Sequence, residues 1–155
     1  MSEDGGLVAL EPRRAFPDEV LAVADLWLLS RQASIPQIPA PVHSDDDVRA
    51  WFRDEVFASR DVWVTERSDH LVALMVLDDR WIEQLYVHPA WRSRGIGTQL
   101  LEIAKREHTT LDLWTFQSNE GARRFYERHG FVWVALTEGD NEEGAADIRY
   151  HWQRR

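Results

Sequence analysis

The order of helical and strand-like patterns along the chain restricts its fold more than any other feature. Apolar residues recur at helical spacing in two segments, then follow strand patterns through three runs, and then switch between helical and strand patterns. Strands are predicted at residues 7–10, 62–65, 71–77, 81–88, 111–116, 131–136 and 147–152, and helices at 17–30, 44–56, 95–104 and 118–129. This mixed order is most economically arranged as an α+β fold, with helices on the faces of one central sheet.

Length, charge and composition limit the class of protein. The 155 residues suffice for one domain, and we expect a flexible, acidic tail at residues 1–6 followed by a single domain at 7–155. A net charge of −9 opposes binding to a phosphate backbone, so no nucleic-acid partner is expected. No signal-peptide pattern is present and the apolar runs are too short to span a bilayer, which indicates a cytoplasmic protein without a membrane partner. The chain has no cysteine, and no metal site is predicted.

The stretch most informative for chemistry is residues 85–98, where a strand passes through a glycine loop into an amphipathic helix. The free amides and the positive dipole end of a helix attract phosphate, and Gly95 and Gly97 allow the backbone to approach closely. Arg92 and Arg94 add positive charge. The segment lacks the lysine of a P-loop and the third glycine of a dinucleotide fingerprint, so neither motif is present. The residues alone leave two interpretations, an anion site or an ordinary strand-to-helix turn.

Two motifs in this half of the chain resemble those of the GNAT acyltransferases, which use acetyl-CoA to acetylate amines. Residues 92–97, R-S-R-G-I-G, match the R/Q-x-x-G-x-G/A loop of that family, and residues 119–131 match its N-x-x-A-x-x-F-Y-x-x-x-G-F helix at every signature position. The resemblance spans residues 62–152 and, more loosely, the helix pair before them. It implies one N-acetyltransferase domain with the GNAT (acyl-CoA N-acyltransferase) fold, a mixed, mostly antiparallel central sheet with helices on both faces, and acetyl-CoA as cofactor.

The resemblance also implies roles for individual residues. The strand before the loop pairs its backbone with the pantetheine arm, the loop amides hold the diphosphate, and an asparagine touches the pantetheine arm. The residues implied to bind the cofactor are Leu85, Tyr86, Val87, Arg92, Ser93, Arg94, Gly95, Ile96, Gly97, Thr98 and Asn119. Tyr126 matches the tyrosine near the cofactor sulfur and is the candidate general acid for the CoA thiolate.

The second predicted catalytic residue follows from strand alternation. Counting in steps of two places Glu83 on the same strand face as Leu85 and Val87. Its carboxylate would accept the proton of the incoming amine, directly or through a water.

Each candidate also has a purely structural interpretation. By periodicity Tyr126 is a core aromatic, Glu83 is a solvated carboxylate, and Asn119 is a helix N-cap. The acidic residues 45–47 are explained by capping of a helix start, and those of the loop at 140–143 by solvation.

These observations predict an N-acetyltransferase that transfers an acetyl group directly from acetyl-CoA to an amine of a small molecule, a peptide N-terminus or a lysine. The resemblance implies an acceptor site between the proline-containing loop at residues 36–41 with its flanking helices and the strand at 83–87, because the cofactor cleft opens on that side in GNAT proteins. One or two otherwise buried tryptophans would line its pocket. The alternative from another class is a non-catalytic acyl-CoA-binding sensor or regulatory module. Transfer of a longer acyl group and a homodimer formed through the last strands also stay open.

Overall fold

A seven-stranded sheet forms the centre of the protein in a computed structural model that describes residues 11–155. The strands are β1 (Arg13–Arg14), β2 (Asp61–Arg67), β3 (His70–Asp78), β4 (Trp81–Val87), β5 (Thr110–Phe116), β6 (Val132–Leu136) and β7 (Asp147–Gln153). Their order is β1-β2-β3-β4-β5-β7-β6, and only the β4–β5 pair among these strands is parallel. The predicted mixed, mostly antiparallel sheet is confirmed. The predicted tail at residues 1–6 and the predicted strand at 7–10 lie outside the described residues.

Helices cover both faces of the sheet. One face carries α1 (Val20–Ala33) and α2, which begins as Asp45–Trp51, continues through a π-helical segment, Phe52–Val56, and ends with Phe57–Ser59. The other face carries α3 (Ile96–Glu107) and α4 (Glu120–Arg128), and short 3₁₀ turns lie at Pro17–Glu19 and Pro89–Trp91. Within residues 11–155, no helix combines the length and the apolar character needed to cross a membrane.

Strand β3 divides the core into two clusters, because its successive side chains point to opposite faces. Ala73, Met75 and Leu77 pack in the cluster of α3 and α4, whereas Leu74 and Val76 pack in the cluster of α1 and α2. Burial on both faces explains why this strand reads as a continuous apolar run and not as an alternating one.

Polar residues set the starts of two helices where the sequence predicts them. The Ser44 hydroxyl accepts a hydrogen bond from the amide of Asp47 at 3.1 Å, and the Asn119 side chain accepts one from the amide of Ala122 at 3.2 Å. Each bond satisfies an amide that has no partner inside its helix. Gly130 follows α4 with a φ of 88°, a left-handed conformation that suits glycine after a helix.

The parallel seam between β4 and β5 is short. The strands pair only at Trp81 with Asp112 and at Ile82 with Leu113. Beyond this seam, β4 continues beside β3 as far as Val87, while β5 continues beside β7 as far as Phe116. The two strands therefore diverge and leave one backbone edge of β4 without a strand partner.

A buried carboxylate holds the seam together. The side chain of Asp112 is 1% exposed and accepts hydrogen bonds from Arg80 Nε at 2.8 Å, Arg149 Nη2 at 2.9 Å and His151 Nδ1 at 3.0 Å. Burial alone would raise the pKa of Asp112, but the three hydrogen bonds outweigh it, and the pKa lies below its usual value. Asp112 is therefore a fixed negative charge that links β4, β5 and β7.

Candidate active site

A cleft of about 430 Å³ opens where β4 and β5 diverge. It is bounded by the end of β4, the loop that follows it, the start of α3 and the inner side of α4. The predicted cofactor residues line this cleft with the exception of Arg94, and Tyr126 lines it with them. The fold thus brings together two motifs that are separated by more than twenty residues of sequence.

The start of α3 presents unpaired amides at the cleft. Gly95 precedes the helix with a φ of 81°, in the left-handed region that only glycine adopts readily. As in any helix, the first amides, here those of Ile96, Gly97 and Thr98, have no partner within it, and no side chain in the described part of the protein caps this helix. Such a helix start can hold an anion through its N–H groups and its dipole.

The second glycine of the loop packs against α4. A Cβ atom at Gly97 would lie 3.4 Å from the Cζ atom of Phe125, at the short end of ordinary van der Waals contact. Gly97 and Phe125 line the cleft together.

The two arginines of the loop make different contacts. Arg92 lines the cleft and donates to the carbonyl of Val87 at 3.5 Å and to the hydroxyl of Ser34 at 3.3 Å. Arg94 stacks over the ring of Trp91 at 4.9 Å and does not line the cleft. A phosphate-binding role for either side chain stays a prediction.

Arg128 lines the cleft and was missed in the sequence. It lies on the same face of α4 as Ala122 and Phe125, at successive spacings of three residues. Helical periodicity counted from the motif residues would have found it.

Tyr126 is a buried phenol that lines the cleft. The residue is 7% exposed, and its ring packs against Phe125 and Phe131. Tyr126 lines both the cleft and the narrow gap between β4 and β5, and no residue of 11–155 forms a hydrogen bond with its hydroxyl. Burial, with a smaller contribution from Tyr86, raises the pKa of Tyr126 above its usual value. The phenol is therefore protonated throughout the neutral range and can donate a hydrogen bond.

The two polar atoms of the Asn119 side chain have different environments. Its Oδ1 atom caps α4, while its Nδ2 atom forms no hydrogen bond with residues 11–155. The residue lines both the cleft and the gap, so the amide nitrogen is available to a ligand there.

The strand alternation used to place Glu83 is interrupted at that residue. In the register of β3 with β4, Val76 opposes Gln84 and Leu77 opposes Ile82, so Glu83 is an extra residue in a β-bulge. A bulge breaks the alternation of side chains, which is why Ile82 shares its cluster with Leu85 and Val87.

The carboxylate of Glu83 lines the gap but not the cleft. It accepts a hydrogen bond from Arg60 Nε at 3.0 Å, and this bond is the main cause of the raised pKa of Arg60. Its role as a base stays a prediction.

Comparison with known proteins identifies the family. A model of the acetyltransferase (GNAT) domain matches residues 58–133. The peptidyl-lysine N-acetyltransferase YiaC of Escherichia coli K12 is 31% identical over 120 residues, which cover 77% of this chain and 81% of that protein. The chain belongs to the GNAT acetyltransferase family. The predicted family and enzyme class, an acetyl-CoA-dependent N-acetyltransferase, are confirmed.

Solved structures support the GNAT fold. YjaB of Escherichia coli superposes with a TM-score of 0.74 at 21% identity, over 93% of this chain and 97% of that chain. YncA of Salmonella typhimurium, whose structure contains acetyl-CoA, superposes with a TM-score of 0.69 at 18% identity, over 93% of each chain. At these identities the likeness establishes the GNAT fold alone, so the acceptor and the catalytic residues require their own argument.

Proposed function

We propose that this GNAT enzyme transfers the acetyl group of acetyl-CoA directly to an amine, and that the transfer takes place in the gap between β4 and β5. The observation that carries the proposal is the meeting of three features in one cleft. Within residues 11–155, these are an unpaired strand edge, a helix start without a side-chain cap and a buried tyrosine hydroxyl without a hydrogen-bond partner.

The chain offers acetyl-CoA two sets of backbone groups. The free edge of β4 at residues 85–87 suits the amide groups of a pantetheine arm, which would pair with it as an added strand does. The amides of Ile96, Gly97 and Thr98 suit the diphosphate. Arg128 adds a positive charge beside them. Bound acetyl-CoA supplies the activated thioester.

Tyr126 is the proposed general acid. As the carbon–sulfur bond breaks, its O–H donates a proton to the departing thiolate, and the phenol later regains a proton from solvent. The raised pKa suits this role because the donor stays protonated when the reaction begins. The amine gains the acetyl group and loses one proton, so the products are an amide and free CoA thiol.

Glu83 is the proposed acceptor of the amine proton, directly or through a water. Arg60 holds its carboxylate at the gap that Tyr126 also lines. Glu83→Gln should lower kcat about 10²-fold or more if Glu83 is the base. Glu66→Gln is a matched control, because that carboxylate pairs with Arg13 and does not line the gap. Full activity in Glu83→Gln would assign the proton to solvent or to another group.

The proposed function is tested by CoA thiol release with a panel of amines that includes small amines, lysine peptides and free peptide N-termini. Peptide lysines belong in the panel because YiaC is a peptidyl-lysine N-acetyltransferase. We expect thiol release that depends on the acceptor, together with a product whose mass has increased by one acetyl group. Binding of acetyl-CoA without acceptor-dependent thiol from any amine would favour the sensor or regulatory module instead.

The homodimer is also a proposal, and it is supported by the edge of the sheet. Strand β6 ends the sheet and exposes several large apolar side chains, namely Val132, Trp133, Val134 and Leu136. An apolar edge of this kind can pair with a second copy. Sedimentation velocity at several concentrations would detect the dimer, and Val134→Lys should weaken it.

A further inference from the structure

A second cavity, of about 540 Å³, lies beside β4 on the side of α1 and α2. Trp27 and Trp51 form an aromatic wall, and Gln84 of β4 lines the cavity between them and the sheet. Gln84 also lines the gap that Tyr126 lines. The cavity, termed the acidic cavity below, therefore adjoins the place where the acceptor amine must meet the thioester.

The acidic cavity carries more negative than positive charge. Four carboxylates line it, those of Asp47, Glu55, Glu142 and Glu143. Glu142 contacts His43 at 3.1 Å, and Glu143 lies 3.7 Å from Arg31. The carboxylate of Asp47 forms no hydrogen bond or ion pair with residues 11–155, and that of Glu55 interacts with Arg60 only at longer range, without a hydrogen bond or ion pair. Two negative groups at the mouth of one cavity are thus left for a ligand.

The wall of the acidic cavity already holds one cation and lacks one hydrogen-bond acceptor. The guanidinium of Arg31 lies 4.9 Å from the centre of the Trp27 ring, which shows that this aromatic surface accepts a positive charge. The Arg31 side chain is only 6% exposed, and its Nε–H has no acceptor within residues 11–155. A buried donor without a partner is costly, so an oxygen of a ligand or a water fits at this wall.

Separation of the carboxylates from the gap has a chemical consequence. Aliphatic amines, such as those of a diamine or a lysine side chain, have pKa values of about 10 and therefore arrive protonated at neutral pH. The reacting amine must lose its proton, whereas an amine held by Glu55 and Asp47 is favoured in its charged form. An acceptor with two amines can satisfy both requirements at once.

We propose that the acceptor carries a second positively charged group, and that the acidic cavity binds this group through Glu55 and Asp47 beside Trp51. The inference rests on the proposed function, in which the other amine of the acceptor is acetylated in the gap. A small diamine and a peptide with neighbouring basic residues share this chemistry.

The first experiment compares 1,5-diaminopentane with 1-aminopentane on the protein saturated with CoA. Calorimetry should show the diamine binding at least about tenfold more tightly, the value of one charge-assisted hydrogen bond. Glu55→Gln is the decisive variant, because that carboxylate has no hydrogen bond or ion pair with residues 11–155 to lose. It should reduce the preference for the diamine to near unity, and Asp47→Asn should reduce it in part. Glu138→Gln lies in the loop that also carries Glu142 but does not line the cavity, so it should keep the full preference.

The second experiment measures kcat/KM for acetylation, with diamines of two to six methylene groups in one arm and short lysine peptides in the other. The peptides carry arginine or glutamine next to the lysine. A preference for the arginine peptide that Glu55→Gln removes would identify a basic peptide as the source, and an optimum in diamine length would identify a small amine.

The outcomes separate the two proposals. Equal binding of the diamine and the monoamine, or a preference that survives in both Glu55→Gln and Asp47→Asn, would overturn the assignment of the acidic cavity. Tight binding of the diamine that Glu55→Gln abolishes, without acetylation of any amine, would uphold the cavity and overturn the proposed function.

Discussion

Replacement of Tyr126 by phenylalanine separates the catalytic role of the phenol from its structural role. The hydroxyl forms no hydrogen bond with residues 11–155, and phenylalanine keeps the ring contacts with Phe125 and Phe131. We therefore expect the free energy of unfolding to change by less than about 1 kcal/mol. Loss of a general acid should lower kcat about 10²- to 10⁴-fold, which corresponds to about 3–5 kcal/mol in the activation barrier.

Tyr150 provides the matched control in the same cluster. Its ring lies 6.2 Å from that of Tyr126, and its hydroxyl donates to Glu127 at 2.6 Å and accepts from Arg123 at 3.3 Å. Tyr150→Phe should lower stability by about 1.5–3 kcal/mol, because it removes hydrogen bonds to charged groups, and should leave kcat near the wild-type value. Tyr126→Phe should thus lower turnover with little change in stability, whereas Tyr150→Phe should lower stability with little change in turnover.

The assays are CoA thiol release at saturating substrates, acetyl-CoA affinity by calorimetry, and urea denaturation. Because the acid must be protonated and the pKa of Tyr126 lies above its usual value of 10.0, ionisation of the phenol should not reduce kcat until the pH exceeds about 10. Unchanged turnover in Tyr126→Phe would refute the role of Tyr126. A fall in wild-type kcat below pH 10 that Tyr126→Phe eliminates would refute the raised pKa.

Three further predictions concern the cleft and the seam. Gly95→Ala places a Cβ at positive φ. It should lower the stability of the fold by about 1 kcal/mol and should also weaken acetyl-CoA binding. Gly144 has a φ of 65° and lies away from the cleft, so Gly144→Ala should lower stability alone. Arg128→Gln should raise the Kd for CoA more than Arg94→Gln does, because Arg128 lines the cleft and Arg94 does not. The difference in Kd should shrink as salt is added. Equal effects of the two substitutions would contradict this placement. Asp112→Asn should lower stability by about 3 kcal/mol at pH 7. Folding lowers the pKa of Asp112, so its contribution to the free energy of unfolding is present above pH 4 and is lost as the pH falls further. The stability of variant and wild type, measured against pH, should therefore converge in acid. Parallel curves would show that the seam does not depend on this charge.

Local patterns were sufficient to locate most elements of the fold. The apolar run of β3, the capping serine at residue 44 and the glycine at residue 95 each act on their immediate neighbours, and such effects are visible in a single sequence. Strand β1 was missed because its two residues are arginines without an apolar pattern. It is held by pairing with β2 and by ion pairs of Arg13 with Glu19 and Glu66, and these are contacts across the chain.

The site was predictable where motif and geometry coincide, as at Gly95 and Tyr126. The β-bulge at Glu83 was not, because a one-residue shift depends on the partner strand. The contact between His43 and Glu142 was not predictable either, because local patterns carry no information on residues that lie 99 positions apart. From the sequence, the acidic helix start at residues 45–47 was explained by capping and the acidic loop at 140–143 by solvation. Folding places residues of both segments on one cavity.

Because β4 and β5 pair at only two positions, strands β1–β4 and β5–β7 are joined mainly by side-chain packing and by the contacts of Asp112. A ligand lying along the free edge of β4 would also contact α4, which follows β5 in the chain, so ligand binding should stiffen both groups of strands. Amide hydrogen exchange at residues 85–87 would then slow on addition of CoA, and so would exchange in β5, which the ligand never needs to touch. Acetyl-CoA bound along this edge would thus take the place of the strand partner that β4 lacks among the described strands.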